Sequence, residues 1–580
     1  MGYNDIVVGR LPTINLPRSK FKMPFNHKTS FLHGDLVPIH AFECNTGDGF
    51  SLNLSAILRM STPIVPFMDT IKCYIEAFAI PKRLVWEHWK EFNGENKGAG
   101  YQTTSYLYPA CATFQSAFAT TQALQRSLSY ALGNPVHIWN TSNAVVGIPV
   151  SVLAERAYFE VWNTKFRASQ LQPCESVDYG DGYLSGGNYR AKVLTSDTNA
   201  VDIWGHTLKK VNKMHDYFVD STLSPQYSAP VTLPLGSTAP VGVISLAGGT
   251  VSSNTSMLTG AAMPGISSPS GYNLFIKGGT YVAGQVMPSE RKEINAGTVA
   301  NVGLDLVADL TNATAATVNE LRYAFALQRF AERENYAGNL YRDILAVHYG
   351  VKVPDSTMQL PEHLGGFSFL VNVNQVTSQS GWNSDATTVL GEVGANSTTV
   401  ISNRHVFSKS FTEPCIVIVF AYTKHKRTYS QGVPRERLKY KNKFDWLWPE
   451  FMNIGDRGTL YGEIFFDKSM SAADLNQFFG YQDSWAEDKY FNDIVTGYLN
   501  PSIPAALGAH LGQWTLADAY ATKPTLSSSW IQEDRDALTR CLKTGANGPD
   551  FIADFYFDYT ASKIMAIRKM PGLIDHVGLF

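Results

Sequence analysis

The amino-acid sequence predicts a mainly β fold with long loops and a few helices. Turn-forming residues are dense, with 46 glycines and 28 prolines among 580 residues, and the apolar runs between them are short. Several of these runs alternate apolar and polar residues or are rich in β-branched residues, as strands are. Hydrophobic residues make up 44% of the chain and aromatic residues 12%. The chain can therefore bury a large core, and a globally disordered protein is excluded.

Four segments fit strands, taken in chain order. Residues 50–54 alternate with a period of two, which indicates a half-buried strand. Residues 71–80 form a second strand that ends at Pro81. The apolar, β-branched run at 415–422 is typical of a strand buried on both faces, and residues 551–559 predict a last strand near the C-terminus.

Three segments fit helices. Residues 83–92 and 151–166 carry large apolar side chains at helical spacing. The third helix begins at Thr317, because a glutamate three residues later completes a capping box. We expect it to be interrupted near Gly338 and to stop at Gly350.

The first 30 residues predict an extended, basic N-terminal arm. Three prolines disfavour a helix there, and five basic residues stand against one acidic residue, Asp5. The basic residues are Arg10, Arg18, Lys20, Lys22 and Lys28. The arm is a secondary candidate for a contact with nucleic acid.

Residues 228–300 differ in composition from the rest of the chain. Between 228 and 289 there is one charged residue, Lys277, and there are ten glycines. This stretch is too long for an ordinary connection. Its Val, Ile, Leu, Phe and Tyr content favours a small β-rich lobe, with a flexible linker as the alternative. We expect a low-charge surface protrusion inserted into a core formed by 31–227 and 301–580.

Charge restricts the partners of the chain. The 48 basic and 50 acidic residues give a net charge of −2, so a contact with nucleic acid has to be local. Charged residues make up 17% of the chain, below the usual ~25%. Low charge with many aromatic rings indicates a surface covered by other chains. The apolar runs are far shorter than the ~20 residues of a membrane span, and the N-terminus does not resemble a secretory signal.

Residues 424–443 are the leading candidate for a nucleic-acid contact. Lys439, Lys441 and Lys443 would share one face of a strand with aromatic side chains on the other, which suits phosphate contacts beside stacked bases. A solvated strand over an aromatic core is the alternative. The segment has one acidic residue and eight basic residues, which are Lys424, Lys426, Arg427, Arg435, Arg437, Lys439, Lys441 and Lys443.

No sequence pattern points to catalysis. The chain has no phosphate-binding loop, nucleophile elbow or zinc-protease motif, and its thirteen histidines are dispersed. Its six cysteines include no CxxC pair, which is typical of buried, reduced thiols. We therefore expect no enzyme activity, no catalytic residue, no metal site and no cofactor.

Short segments in a characteristic order cover almost the whole chain outside 228–300. They include Gly34-Asp35-Leu36-Val37-Pro38, Thr62-Pro63-Ile64-Val65-Pro66, Glu155-Arg156-Ala157-Tyr158, Pro361-Glu362-His363-Leu364-Gly365-Gly366, Phe479-Gly480-Tyr481-Gln482 and Pro571-Gly572-Leu573-Ile574-Asp575-His576. In these segments the chain resembles the major capsid proteins of microviruses (Microviridae), in the gokushovirus branch. It departs at Glu413-Pro414-Cys415 and Gly455-Asp456-Arg457, where that family has Glu-His-Gly and Gly-Glu-Gln.

The resemblance implies an eight-stranded antiparallel jelly roll of the viral capsid type and no catalytic residues. It implies a virion protein, assembled in the host bacterial cytoplasm into a T=1 icosahedral shell around circular single-stranded DNA. The implied partners are other copies of the chain at five-, three- and two-fold contacts, the DNA, minor virion and scaffolding proteins, and a host surface receptor that binds the protrusions. The competing classes are a β-sandwich attachment protein that binds carbohydrate and a polysaccharide-active enzyme.

Overall fold

The computed structural model describes most of the chain in two compact units. One unit contains residues 1–227 and 331–580, and the other contains residues 228–330. The described residues are 17–98, 104–106, 108–112, 124–134, 149–177, 179–181, 207–231, 241–245, 304–308, 318–377, 391, 393–438, 442–468, 470–503, 510–565 and 567. Most of the low-charge segment 228–300 lies outside them, so its expected boundaries and its role as a protrusion stay predictions.

Eight strands of the larger unit form two four-stranded antiparallel sheets. The first sheet has the order β1-β18-β3-β12, and the second has the order β2-β13-β4-β9. Their bounds are β1 Ser19–Phe31, β2 Val37–Cys44, β3 Gly49–Met60, β4 Ile71–Pro81, β9 Glu362–Leu370, β12 Thr398–Ser410, β13 Cys415–His425 and β18 Phe551–Lys563. The chain alternates between the sheets, with one exception where β4 and β9 are neighbours in the same sheet. This order is that of an eight-stranded jelly roll.

The core lies between these sheets and continues under a helix. The nine residues 415–423 of β13 are all buried, which confirms the strand predicted to be buried on both faces. The strand is central in its sheet, and helical residues cover it, with the rings of Tyr158 and Phe166 centred 5.8 and 6.1 Å from the ring of Phe420. By contrast, β18 alternates buried and more exposed residues.

The structure differs from the sequence-based prediction at the N-terminal arm. Residues 19–30 are extended, as expected, but they belong to β1, which pairs with β18 along its whole length from Ser19 to Phe31. Strand β1 lies at the edge of its sheet, where Pro24 is tolerated because an edge strand leaves some backbone groups unpaired. Residues 1–16 of the predicted arm lie outside the described residues.

Helices connect the strands, and the predicted helix over 83–92 is wrong in its middle. It is divided at Trp86, which has an extended backbone (φ −145°, ψ 117°). This conformation buries the indole, whose Nε1 donates a 2.7 Å hydrogen bond to Asp181. The helices are α1 Lys82–Val85, α2 Trp89–Phe92, α3 Leu128–Ala131, α4 Leu153–Val161, α5 Val318–Tyr336, α6 Tyr341–Tyr349, α7 Arg435–Leu438, α8 Tyr461–Ile464, α9 Ala472–Leu475 and α10 Asp536–Cys541.

The other two helix predictions are confirmed in outline. Helix α4 continues as a π-helical turn to Phe166. The third predicted helix is divided into α5 and α6 around Gly338, and α6 ends at Gly350, whose φ of 71° is left-handed. The predicted cap, Thr317, lies outside the described residues.

Short elements complete the described chain. The small strands are β5 Ala110–Ala112, β6 Pro149–Ser151, β7 Val241–Ser245, β8 Leu304–Ala308, β10 Asn374–Thr377, β11 Val393–Asn396, β14 Thr428–Tyr429, β15 Asp456–Leu460, β16 Phe478–Asp483 and β17 Asp493–Ile494. The 3₁₀ turns are Lys443–Asp445, Pro449–Phe451, Ala486–Asp488, Gly497–Leu499, Gly512–Trp514 and Gly545–Asn547.

Candidate nucleic-acid interface and assembly surfaces

The basic segment 424–443 is not in a strand at the described positions next to Lys439 and Lys441. It leaves β13, passes through α7, and reaches a 3₁₀ turn at Lys443–Asp445. The turn forms because the backbone N–H of Asn442 donates a 2.6 Å hydrogen bond to the Asp445 carboxylate, and such local bonds compete with strand pairing. Lys439 and Lys441 lie outside the described residues, so their shared face with Lys443 stays a prediction.

Arg427 is not available to a phosphate, which corrects its selection as a contact. Its side chain is completely buried, and Nη1 lies 2.7 Å from Asp518. The same nitrogen lies 3.1 Å from Asp534, and Nη2 lies 3.1 Å from Glu533 Oε1. A guanidinium that already neutralises three carboxylates inside the protein cannot contact DNA, so Arg427 has a structural role.

Three further candidates are partly buried or paired with other residues of the protein. Arg435 donates hydrogen bonds of 2.7 Å to the Gly458 carbonyl and 2.8 Å to Glu463, with its side chain only 10% exposed. Burial lowers the pKa of Lys424. Lys426 is exposed but forms an ion pair of 2.6 Å with Asp493. Selecting Arg435 as a DNA contact is therefore also corrected, whereas Lys426 keeps an accessible ammonium group.

Arg437 and Lys443 are exposed, and Lys443 has aromatic neighbours. The Lys443 ammonium lies 4.9 Å from the ring centre of Phe444, and the Trp448 indole donates a 2.8 Å hydrogen bond to the Lys443 carbonyl. Phe444, Trp446 and Trp448 are each about half exposed. Cations beside accessible aromatic rings can hold a single strand by phosphate contact and base stacking.

The basic side chains of β1 form a second exposed group. Lys20, Lys22 and Lys28 are all exposed, and they project from an edge strand. On the opposite side of β1, Phe25 packs against the hydrophobic core. The lysines therefore lie on the outer surface of the first sheet.

A buried ionic cluster is centred on Glu533, and no sequence pattern predicted it. Its Oε1 atom lies 3.0 Å from His33 Nε2 and 2.6 Å from His425 Nδ1. Burial of Glu533 opposes its ionisation, but the charge of Arg427 and the imidazoles outweigh it and hold the pKa well below its usual value. Burial, reinforced by Arg427, lowers the pKa of His425. His33, His425 and Glu533 are each more than one hundred positions apart in the chain, so only the fold brings them together.

Large apolar side chains remain exposed on the described surface. In α5, Tyr323 and Phe325 are 71% and 67% exposed, and Phe491 and Tyr498 in later loops are 87% and 74% exposed. Single exposed apolar residues are ordinary, but large exposed aromatic side chains two positions apart in one helix, as at Tyr323 and Phe325, are candidates for an interface. These surfaces fit the low charge of the chain.

Comparison with known proteins identifies the family. A family model described as "Capsid protein (F protein)" matches residues 9–573. The chain belongs to this capsid protein family. It is therefore a major capsid protein with a structural role, and the resemblance predicted from the short sequence segments is confirmed.

Relatives of this capsid protein match it from end to end. The capsid protein VP1 of Bdellovibrio phage phiMH2K is 29% identical over 574 residues, covering 98% of both chains. The VP1 proteins of Spiroplasma virus 4 and Chlamydia phage 1 are 30% and 27% identical, covering 96% and 97% of both chains. Membership of this family implies self-assembly into a shell and a place in the virion. Among the described residues, no helix is both long enough and apolar enough to cross a membrane.

Proposed function

We propose that copies of this chain form a closed T=1 icosahedral shell around a circular single-stranded DNA genome. The observation that carries this proposal is the set of exposed aromatic side chains, led by Tyr323, Phe325 and Phe491, on a jelly-roll capsid protein. Closed symmetry requires several different interfaces per subunit, here at five-, three- and two-fold contacts. We expect each chain to bury well over the ~1,600 Å² of a standard interface.

Negative-stain microscopy and analytical ultracentrifugation of the purified chain test the assembly. Closed shells or regular pentamers support the proposal. Dispersed monomers or trimers that bind carbohydrate would support the alternative, a β-sandwich attachment protein. We assign the chain no enzymatic activity and place its assembly in the host bacterial cytoplasm, with minor virion and scaffolding proteins as further partners. Residues 228–300 are proposed to project outward and to contact a host receptor.

For the genome, we propose that Arg437 and Lys443 face the shell interior and contact phosphates. Lys439 and Lys441, between them in sequence, are proposed to contribute to the same contact. Lys424 and Lys426, at the start of the basic segment, and the lysines of β1 are weaker candidates. The aromatic rings at 444–448 offer stacking surfaces that accept any base. Such contacts are independent of sequence, as packaging of an entire genome requires.

Single-stranded DNA binding across a salt series tests this interface. Each lost phosphate contact should reduce the slope of log K against log salt by roughly 0.7, so Arg437→Ala combined with Lys443→Ala should reduce it by about 1.4. The matched control is Lys352→Ala, because Lys352 is exposed and lies outside both the basic segment and β1. An unchanged slope in the double variant, or an equal loss in the control, would exclude this interface and leave the capsid assignment intact.

A further inference from the structure

We propose that His33, His425 and Glu533 form a structural site for a divalent transition-metal ion, with Zn²⁺ as the best fit. The three side chains are fully buried. Their candidate ligand atoms are His33 Nε2, His425 Nδ1 and Glu533 Oε1. Within the described part of the chain, no other group of three His, Cys, Asp or Glu side chains converges in this way. This proposal is independent of the DNA interface and revises the expectation, from the sequence, that the chain has no metal site.

The spacing of the three atoms fits a shared ion. His33 Nε2 lies 2.9 Å from His425 Nδ1, and Glu533 Oε1 lies 3.0 and 2.6 Å from these two nitrogens. Bonds of about 2.0–2.2 Å that meet at roughly 90–110° separate ligand atoms by roughly 2.8–3.6 Å. Two of the three observed distances already lie in this range, and the 2.6 Å distance between Glu533 Oε1 and His425 Nδ1 has to lengthen when an ion binds.

The unpaired oxygen of Glu533 supplies a second observation. Its Oε2 atom is buried, and no described residue offers it a hydrogen bond. A buried carboxylate oxygen without a partner is costly. Bidentate binding of Glu533 would use this oxygen and complete a four-coordinate site with the two imidazoles, without a water ligand.

Surrounding hydrogen bonds orient His33 and Glu533 as outer partners do in known metal sites, whereas His425 Nε2 is buried and has no hydrogen-bond partner among the described residues. His33 Nδ1 lies 2.9 Å from Thr423 Oγ1 in the neighbouring strand β13. Arg427 Nη2 donates a 3.1 Å bond to Glu533 Oε1. Both contacts leave His33 Nε2 and Glu533 Oε1 directed into the proposed site. They also fix the orientation of the His33 ring and of the Glu533 carboxylate.

The backbone also holds the site in place before any ion binds. The Glu533 N–H donates to the Val211 carbonyl at 2.8 Å, and the Val211 N–H donates to the Gly34 carbonyl at 2.9 Å. A side chain at Gly34 would come within 2.9 Å of Glu533 Cβ, and the φ of this residue is +79°. Glycine thus permits the close approach that places His33 beside Glu533.

Charge and ligand type select the ion. Apart from the two imidazoles, the carboxylates of Glu533, Asp518 and Asp534 exceed the cations Arg427 and Lys213 by one negative charge, which favours binding of a cation. Two nitrogen ligands disfavour Ca²⁺ and Mg²⁺, which prefer oxygen, and suit Zn²⁺. The ion would join the end of β1, the end of β13 and the segment before α10.

Metal analysis of the assembled or soluble full-length chain tests the proposal. The chain is expressed with added zinc, purified without chelator or histidine tag, and analysed by mass spectrometry for metals. We expect about one zinc per chain in the wild type, and a loss of most of it in His33→Gln and His425→Gln. The control is His405→Gln, since His405 is exposed and lies 3.0 Å from Asn53; this variant should keep its zinc.

If the His33 or His425 variant does not fold, X-ray absorption spectroscopy of the wild type provides an independent test. Scattering from two imidazoles with oxygen ligands and no sulfur supports the site. A wild-type chain without metal, a zinc ion bound by sulfur or by fewer than two imidazoles, or full zinc retention in both variants would overturn the proposal. In those cases the cluster would be stabilised by hydrogen bonds among the three side chains and by Arg427, without a metal ion.

Discussion

The ring of Phe25 stacks on the ring of Phe557, with centroids 4.7 Å apart and planes inclined by 4°. The two residues face each other in the β1–β18 pairing, although more than 500 positions separate them in the chain. A segment that the sequence assigned to an arm is therefore an edge strand closed against the last strand of the fold.

Phe25→Ala should lower the free energy of unfolding by about 1–3 kcal/mol, less than the cost at a fully buried phenylalanine, because Phe25 is only half buried. The substitution removes the stacking with Phe557 and leaves a gap over the core. Thermal unfolding of the purified chain measures the change. Lys22→Ala, an exposed site in the same strand, is the control; equal effects at both sites would contradict the packing role of Phe25.

Arg427→Met should destabilise the chain by about 3–5 kcal/mol, because it leaves buried carboxylates without their cation. The neighbouring Lys426→Met should change stability by less than about 1 kcal/mol, since its ion pair with Asp493 is exposed to water. Unfolding midpoints of the two variants provide the comparison. A small loss of stability in Arg427→Met would show that the buried carboxylates around Glu533 do not depend on this guanidinium.

Glu155→Gln should stabilise the protein at alkaline pH and have little effect in acid. Burial raises the pKa of Glu155 from 4.5 to about 7, against weaker opposing hydrogen bonds that include one from Ser129. The native state therefore disfavours the ionised carboxylate, and its cost develops as the pH rises from 4.5 to 7. Removing the charge should raise the free energy of unfolding at pH 8 by about 1–3 kcal/mol, since one pKa unit corresponds to ~1.4 kcal/mol.

Thermal unfolding at pH 4 and pH 8 measures this dependence on Glu155. The exposed Glu87→Gln serves as the control, because its carboxyl group stays in water. A gain for Glu155→Gln that is equal at both pH values would attribute the effect to packing and not to charge.

Tyr323→Ser combined with Phe325→Ser should leave the fold stable but prevent shell assembly. Both side chains are more than two-thirds exposed in the single chain, so their loss removes little internal packing, whereas an interface would lose two aromatic anchors. Sedimentation and microscopy measure assembly, and circular dichroism measures folding. Arg322→Ser, an exposed change in the same helix, should still assemble; normal shells from the double variant would remove α5 from the assembly surface.

Local sequence patterns were sufficient to predict much of the fold and to identify the capsid family. The uninterrupted apolar run at 415–422 and the alternation at 551–559 identify strands because burial on two faces or one face leaves its period in the sequence. Gly350 marked the end of a helix because a left-handed residue is needed there. Short segments in family order identified the chain as a capsid protein without any knowledge of its contacts.

The tertiary structure decided which charged residues are available to a partner. Arg427 and Lys443 belong to the same basic run, yet one is completely buried against three carboxylates and the other is exposed beside Phe444. The same holds for His33 and Glu533, which come together through backbone pairing with Val211. Sequence records the preference of each segment for a local conformation, but ion pairs and ligand sets depend on which distant segments the fold places within a few ångströms of each other.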